Sequence, residues 1–143
     1  MISHSETSEI LLVEDNAGDI YMFENALKIS GFKFNLVKIT NGDDVLPYLK
    51  RNDTSLPDII ILDLNLPGKN GKEILSDIKN DKKLGLIPVI IFTTSNAEFD
   101  IQTSYQLKAN CFIKKPISVT EYIAAVNRIK DFWTSIVTLP NKE

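Results

Sequence analysis

Short runs of apolar residues recur along this chain, and between successive runs the apolar positions have the spacing of an amphipathic helix. Several of the runs are consecutive aliphatic residues, which is typical of strands buried on both faces of a sheet. The predicted strands are Ile10 to Val13, Phe34 to Ile39, Ile59 to Leu62, Val89 to Phe92 and Cys111 to Ile113. Five strands alternating with five helices predict an α/β domain, a doubly wound parallel sheet with flanking helices.

Capping signals locate the starts of the predicted helices. The pairs with the spacing of a capping box are Asn70 with Glu73, Ser95 with Glu98, and Ser118 with Glu121. Asn16 is predicted to cap the first helix, because its side chain can accept a hydrogen bond from a free backbone N–H. Pro47 lacks a backbone donor, so the second helix is predicted either to begin near Asp44 or to kink.

Length and composition favour one globular domain. A chain of 143 residues is long enough for one domain with a sizeable core. Its hydrophobic content of 43% and charged content of 24% are ordinary for a folded protein, which argues against disorder. We expect the domain to span residues 9–135, after a disordered lead-in over residues 1–8 and before a tail over residues 136–143.

Charge and cysteine content exclude several classes of protein. A net charge of −3 argues against a nucleic-acid-binding surface. A single cysteine leaves no partner for an internal disulfide and fits a reducing compartment. No apolar run approaches the roughly 20 residues of a membrane helix, and the N-terminal residues do not resemble a signal peptide. We therefore expect a cytoplasmic protein that binds neither nucleic acid nor a membrane.

Polar side chains follow four of the predicted strands at the point where each strand ends. They are Glu14 and Asp15 after the first strand, Asp63 after the third, Thr93 after the fourth and Lys115 near the end of the fifth. Because the carboxyl ends of parallel strands meet at one edge of a sheet, these side chains are expected to converge. Asp63 is expected to be open to solvent, since a strand interior does not tolerate an unpaired charge.

This combination of side chains points to phosphoryl chemistry. Three carboxylates brought together repel one another, and a hard divalent cation such as Mg²⁺ offsets that repulsion through oxygen ligands. A lysine and a threonine hydroxyl complement the charge and the oxygens of an added phosphoryl group. A carboxylate can itself be the nucleophile in phosphoryl transfer. The sequence therefore predicts that Asp63 accepts phosphate with Mg²⁺ as cofactor.

The same motifs resemble those of response-regulator receiver domains of the bacterial chemotaxis-regulator type. The matching segments are Ile10 to Asp15, Ile61 to Pro67, Asn70-Gly71, Pro88 to Thr94 and Lys115-Pro116. In order and at the expected strand ends, these segments are highly specific, and they cover roughly residues 9–135. The resemblance implies the flavodoxin-like strand order 2-1-3-4-5. It also implies a signalling protein of a two-component phosphorelay rather than an enzyme, beyond self-phosphorylation and autodephosphorylation.

The resemblance assigns a role to each residue of the metal and phosphoryl site. Asp63 matches the phosphoacceptor, which takes its phosphoryl group from a phosphohistidine on a sensor histidine kinase or a phosphotransfer protein. Asp15 matches a direct Mg²⁺ ligand, and Glu14 matches one that acts through water. Asn65 matches the position whose backbone carbonyl binds the metal.

The resemblance also implies a switch. Thr93 matches the hydroxyl that bonds a phosphoryl oxygen, and Lys115 matches the cation that pairs with it. Phe112 stands where many members carry a tyrosine, and Lys108 stands where a glycine is usual, so a positive φ there would be strained. The peptide between Lys115 and Pro116 is often cis in such domains.

A short tail follows the last predicted helix, so we expect no attached output domain and expect output through a surface. The expected face is formed by the fourth helix, the fifth strand and the fifth helix, and it is also the candidate homodimer surface. The acidic pair followed by Asn16, together with the segment from Thr93 to Glu98, is similar to single-domain regulators paired with phytochrome-type kinases.

Two other functions remain open from the sequence. One is a receiver-like docking module that keeps the fold without being phosphorylated. The other is a phosphatase of the haloacid dehalogenase type, which also uses an aspartate after a parallel strand. That chemistry needs a second acid two residues later, where this chain has Asn65, whose amide is no general acid or base.

Overall fold

The computed structural model describes residues 7–51 and 55–140. Its centre is one parallel sheet with the order β2-β1-β3-β4-β5, which confirms the predicted fold and strand order. The strands are β1 (Ser8–Val13), β2 (Phe34–Ile39), β3 (Ile59–Leu62), β4 (Val89–Thr93) and β5 (Cys111–Lys114). Ser8, which the sequence placed in the lead-in, pairs with Phe34 and belongs to β1. Residues 1–6 of that predicted lead-in, and residues 141–143 at the end of the predicted tail, lie outside the described residues.

Helices cover both faces of the sheet. They are α1 (Ala17–Ile29), α2 (Val45–Leu49), α3 (Gly71–Asn80), α4 (Glu98–Gln106) and α5 (Val119–Asp131), and a π-helical turn over Phe132–Ile136 follows α5. A 3₁₀ turn over Gly42–Asp44 leads into α2, so Pro47 occupies the first turn of the α-helix, where its missing donor costs nothing. None of the described helices has the length and apolar character needed to cross a bilayer.

Caps explain most of the helix boundaries. Asn70 and Glu73 form both hydrogen bonds of a capping box at α3, as predicted. The Ser118 side chain accepts a hydrogen bond from the Glu121 N–H at α5, again as predicted. The predicted box of Ser95 and Glu98 is wrong: α4 begins after Ala97, which has no capping side chain.

The third strand shows why the chain needs an unbroken aliphatic run. Ile60 and Leu62 pack into the core on one face of the sheet, with α3. Ile59 and Ile61 pack into the core on the other face, with α1 and α5. All four are at most 2% exposed, so each contributes about 1.5–3 kcal/mol of burial free energy. Charged residues are therefore excluded from the interior of this strand, and Asp63 lies just beyond its carboxyl end.

Two backbone features bear on the sequence predictions. Lys108 has φ of 76°, so this position keeps the positive φ at which a non-glycine residue is strained. Among the described residues no peptide bond is cis, so the Lys115–Pro116 bond is trans and departs from the form often seen in such domains.

Candidate functional site

The candidate site lies at the carboxyl edge of the sheet, and continuing backbone hydrogen bonds hold its residues there. The Asp63 N–H donates to the Val13 carbonyl at 3.0 Å, and the Glu14 N–H donates to the Ile39 carbonyl at 3.0 Å. The Lys115 N–H donates to the Thr93 carbonyl at 2.7 Å. The hydrogen bonding of the sheet thus continues to the first residue after β1, β3 and β5. These bonds fix the backbone positions from which the three side chains extend.

The Lys115 ammonium is the centre of the site. Its Nζ donates hydrogen bonds to three carboxylates, those of Glu14, Asp19 (2.7 Å) and Asp63 (3.1 Å). Lys115 is 5% exposed, Glu14 3% and Asp63 6%. The expectation that Asp63 is open to solvent is therefore wrong. The charge tolerates burial because Lys115 pairs with it directly.

Burial and pairing shift the pKa values of these groups. Burial raises the pKa of Glu14 to about 7, and this effect outweighs the opposing influence of Lys115. Burial alone would lower the pKa of Lys115, but its hydrogen bonds to Asp19 and Glu14 raise it instead. The pKa of the Tyr122 hydroxyl is raised by burial and then by the nearby charge of Asp19. The ammonium form of Lys115 is therefore strongly favoured.

Three carboxylates of the site fit a hard divalent cation. One oxygen from each of Glu14, Asp15 and Asp63 lies within 4.8 Å of the others. Asp15 is exposed, so this group opens to solvent on one side. Asn65 lies in the loop after β3, and its N–H donates to Asp63 Oδ1 at 3.2 Å. A donor set made only of oxygens, with access to water, suits Mg²⁺ or Mn²⁺.

The Thr93 hydroxyl and the Phe112 N–H have hydrogen-bond partners outside this cluster. Thr93 ends β4 and is fully buried, and its Oγ1 accepts the Ser95 N–H at 3.5 Å. Phe112 is half-buried in β5 and packs against the core on the α3 side of the sheet. Its N–H donates to the Tyr105 hydroxyl at 3.1 Å. The structure thus brings Glu14, Asp15, Asp63 and Lys115 together. The Thr93 hydroxyl is hydrogen-bonded to the Ser95 N–H instead of to this group.

Sequence reasoning missed Asp19 as a member of the site. The sequence explains an acid at this position by the helix dipole alone, which favours negative charge in the first turn of a helix. The sequence feature that could have identified Asp19 is its position in the first turn of α1, the helix that follows Glu14 and Asp15. A carboxylate there, one turn into the helix, lies above the same edge of the sheet.

Sequence reasoning also missed a contact network beside the site. Ser95 Oγ donates to Asp100 Oδ2 at 2.5 Å, and Lys72 Nζ donates to Asp100 Oδ1 at 2.5 Å. The Lys72 ammonium also lies 4.5 Å from the centre of the Phe99 ring. These contacts join α3, α4 and the loop after Thr93.

Comparisons with known proteins agree with this geometry. Residues 10–127 of the chain match the protein family described as the response regulator receiver domain. The response regulator Rcp1 of Synechocystis sp. is 37% identical over 135 residues, with 92% of each chain covered.

Two solved structures have the same fold. The phosphorylated cyanobacterial phytochrome response regulator RcpA is 40% identical, with a TM-score of 0.91 and coverage of 95% of this chain and 100% of that one. The Mn²⁺-bound form of Rcp1 is 36% identical, with a TM-score of 0.89 and coverage of 94% and 99%. The fold and the acidic edge define a receiver-type α/β protein. The chain belongs to the response regulator receiver domain family.

Proposed function

We propose that Asp63 is the phosphoacceptor of this response regulator and takes its phosphoryl group from a phosphohistidine. The observation that carries the proposal is the setting of the Asp63 carboxylate. One Asp63 oxygen lies within 4.8 Å of oxygens of Glu14 and Asp15, and Asp63 Oδ2 accepts a hydrogen bond from the Lys115 ammonium at 3.1 Å. A carboxylate next to both a metal-binding group and a fixed cation is suited to receive a dianionic group.

The proposed reaction exchanges one phosphorus bond for another. A carboxylate oxygen of Asp63 attacks the phosphorus, the P–N bond to the donor imidazole breaks, and the imidazole leaves with the electron pair and takes up a proton. The product is an acyl phosphate on Asp63. Attack by water on that phosphorus later returns the free carboxylate and inorganic phosphate. Small phosphodonors such as acetyl phosphate would serve in the same way.

The other residues of the site would hold the reacting groups in place. Glu14, Asp15, Asp63 and the backbone carbonyl of Asn65 would hold Mg²⁺. When bound, that ion supplies positive charge opposite the phosphoryl oxygens. Lys115 would donate to a phosphoryl oxygen, which its contact with Asp63 Oδ2 already prepares.

Switching would follow from a change of partner at Thr93. Its hydroxyl would leave the Ser95 N–H and donate to a phosphoryl oxygen, and Phe112 would turn inward. Both residues border α4, so the face formed by α4, β5 and α5 would change its shape. We propose that this face carries the output, through a protein partner or a second copy of the chain.

The proposed phosphodonor is a sensor histidine kinase of the phytochrome type or a phosphotransfer protein. Support comes from the similarity to RcpA, a cyanobacterial phytochrome response regulator, and from a bacteriophytochrome response regulator that is 31% identical. We propose that the protein acts in the cytoplasm and contacts neither nucleic acid nor a membrane.

Phosphorylation with a small donor tests this function. The protein is incubated with Mg²⁺ and acetyl phosphate, and its intact mass is measured. We expect the mass of one phosphoryl group to be added, and to be lost in Asp63→Asn and after chelation of Mg²⁺. No adduct on the wild-type chain, or an adduct that persists in Asp63→Asn, would sink the proposal.

The two alternatives receive less support. The haloacid dehalogenase reaction lacks its second acid, because position 65 is an asparagine whose N–H donates to Asp63. A docking module without phosphorylation has no need to bury Glu14, Asp63 and Lys115 together, since such groups are costly to desolvate.

A further inference from the structure

Asp19 differs from the other two carboxylates that contact Lys115. Glu14 and Asp63 belong to the group whose oxygens lie close enough to share a metal ion. Asp19 does not belong to that group, yet its Oδ2 lies 2.7 Å from Lys115 Nζ, closer than Asp63 Oδ2 at 3.1 Å. Of the carboxylates at this ammonium, it is the one that a bound cation would leave untouched.

The backbone of Asp19 is held on two sides. Its N–H donates to the capping side chain of Asn16 at 2.9 Å, and its carbonyl accepts the Tyr122 hydroxyl at 3.2 Å. It occupies the third position of α1, where the helix dipole stabilises a negative charge. Its side chain is 20% exposed, so its pairing with Lys115 is partly shielded from water. Asp19 is therefore a fixed anchor for the ammonium.

A cation at the acidic group changes the environment of Lys115. The carboxylates of Glu14 and Asp63 then share their charge with the cation, which also repels the ammonium. Without another partner, the four-carbon side chain of Lys115 is free to rotate away from Asp63. Asp19, which lies outside the acidic group, supplies that partner.

We infer that Asp19 is a positioning residue that holds the Lys115 ammonium beside Asp63 while the metal is bound. The ammonium is then in place when a phosphoryl group arrives on Asp63, and less side-chain entropy is lost at that step. The inference rests on the proposed function, because it concerns the same site.

The simplest rival explanation treats Asp19 as a negative charge near the site and nothing more. Removing such a charge would strengthen the binding of an anion at Asp63, because repulsion falls. Removing an anchor would weaken the binding of the same anion, because Lys115 is no longer held ready. The two explanations therefore predict opposite signs for one measurement.

The test measures the affinity for beryllofluoride at saturating Mg²⁺, by calorimetry or ¹⁹F NMR, because this anion mimics the acyl phosphate. We expect Asp19→Asn to bind it about fivefold more weakly, the effect of one hydrogen bond. Asp19→Glu, which still reaches Lys115, is expected to stay within about twofold. Glu24→Gln, at a half-buried acid on the same helix that pairs with Lys38, is the matched control and should bind like the wild type.

A double-mutant cycle shows whether Asp19 acts through Lys115. In the Lys115→Met background, Asp19→Asn should cause no further weakening. Thermal unfolding is followed for every variant. If Asp19→Asn does not fold, Asp19→Ser takes its place, because serine is also accepted in the first turn of a helix.

The outcomes separate this inference from the proposed function. If the wild type does not bind beryllofluoride, or if Asp63→Asn binds it equally well, the proposed function fails. If only Asp63→Asn loses binding, while Asp19→Asn binds as tightly as the wild type or more tightly, the function stands and the positioning role is wrong. Persistent weakening by Asp19→Asn in the Lys115→Met background also overturns the role.

Discussion

The Lys115 ammonium and the Asp63 carboxylate meet at 3.1 Å, although 52 positions separate them in the sequence. Both side chains are at most 8% exposed, so neither charge has much access to water. Their pairing, with Glu14 and Asp19 at the same ammonium, allows acidic groups to be buried at the sheet edge. We therefore expect the stability of the metal-free protein to depend on Lys115.

Lys115→Met should destabilise the metal-free protein by about 3 kcal/mol, because it leaves Glu14 and Asp63 buried without their cation. Urea unfolding measures the change in free energy. Mg²⁺ should restore part of the loss, since it supplies positive charge to the same carboxylates. Lys114→Met, at the exposed neighbouring residue, is the control and should change little. Equal stability of Lys115→Met and the wild type would contradict the prediction.

Gly71→Ala should displace the chain around Asp63. A Cβ at Gly71 would lie 2.5 Å from the Asp63 carbonyl oxygen and 2.6 Å from the Leu64 Cα, both backbone atoms. We expect a loss of about 1–3 kcal/mol in unfolding free energy and slower phosphorylation by acetyl phosphate. Gly18→Ala in α1 is the control, because its nearest neighbour is the Asn16 side chain at 3.2 Å, which can shift. Equal effects of the two substitutions would argue against a constraint at Gly71.

Asp100→Asn should lower stability in a manner that depends on pH. The Lys72 hydrogen bond, followed by that of Ser95, lowers the pKa of Asp100, so its stabilising effect is present above its ordinary unfolded-state pKa. That stabilising effect is lost as the pH falls through the lowered pKa that Asp100 has in the folded state. We expect a cost of at most about 1 kcal/mol at pH 7, which becomes smaller in strong salt.

Urea unfolding of the wild type and Asp100→Asn at pH 7 and under acid conditions tests this dependence. The difference between the two proteins should shrink toward zero in acid, once Asp100 is protonated. Asp131→Asn, at a largely exposed acid that pairs with its neighbour Lys130, is the control. A difference that stays constant with pH would show that the charge of Asp100 is not responsible.

Lys108→Gly should stabilise the protein. Lys108 has φ of 76°, a conformation that costs an L-residue about 1–2 kcal/mol and glycine almost nothing. The greater freedom of glycine in the unfolded chain offsets part of this, so we expect a net gain of about 0.5–1 kcal/mol. Lys108→Ala keeps the strain and should show no gain. An equal gain in both variants would attribute the effect to the lost lysine side chain instead.

Local sequence patterns predicted most of the helices and strands, because burial of apolar residues and helix capping depend mainly on residues close together in the sequence. The run from Ile59 to Ile61 has no polar face, so it requires a strand covered on both sides, and the structure places it there. Asn70 and Glu73 cap α3 through contacts within one helical turn. Ser95 failed as a cap because its hydroxyl instead donates to Asp100 in the first turn of α4.

Local sequence patterns predict the alternation of strands and helices and the polar residues at the strand ends. These follow from periodicity and from the cost of burying an unpaired charge. The burial of Asp63 and the place of Asp19 in the site depend instead on how the folded elements pack together. The reason is that the position of Lys115 depends on how β5 and α1 pack against the sheet. Its one ammonium gathers carboxylates from three separate elements, and no local pattern encodes that pairing.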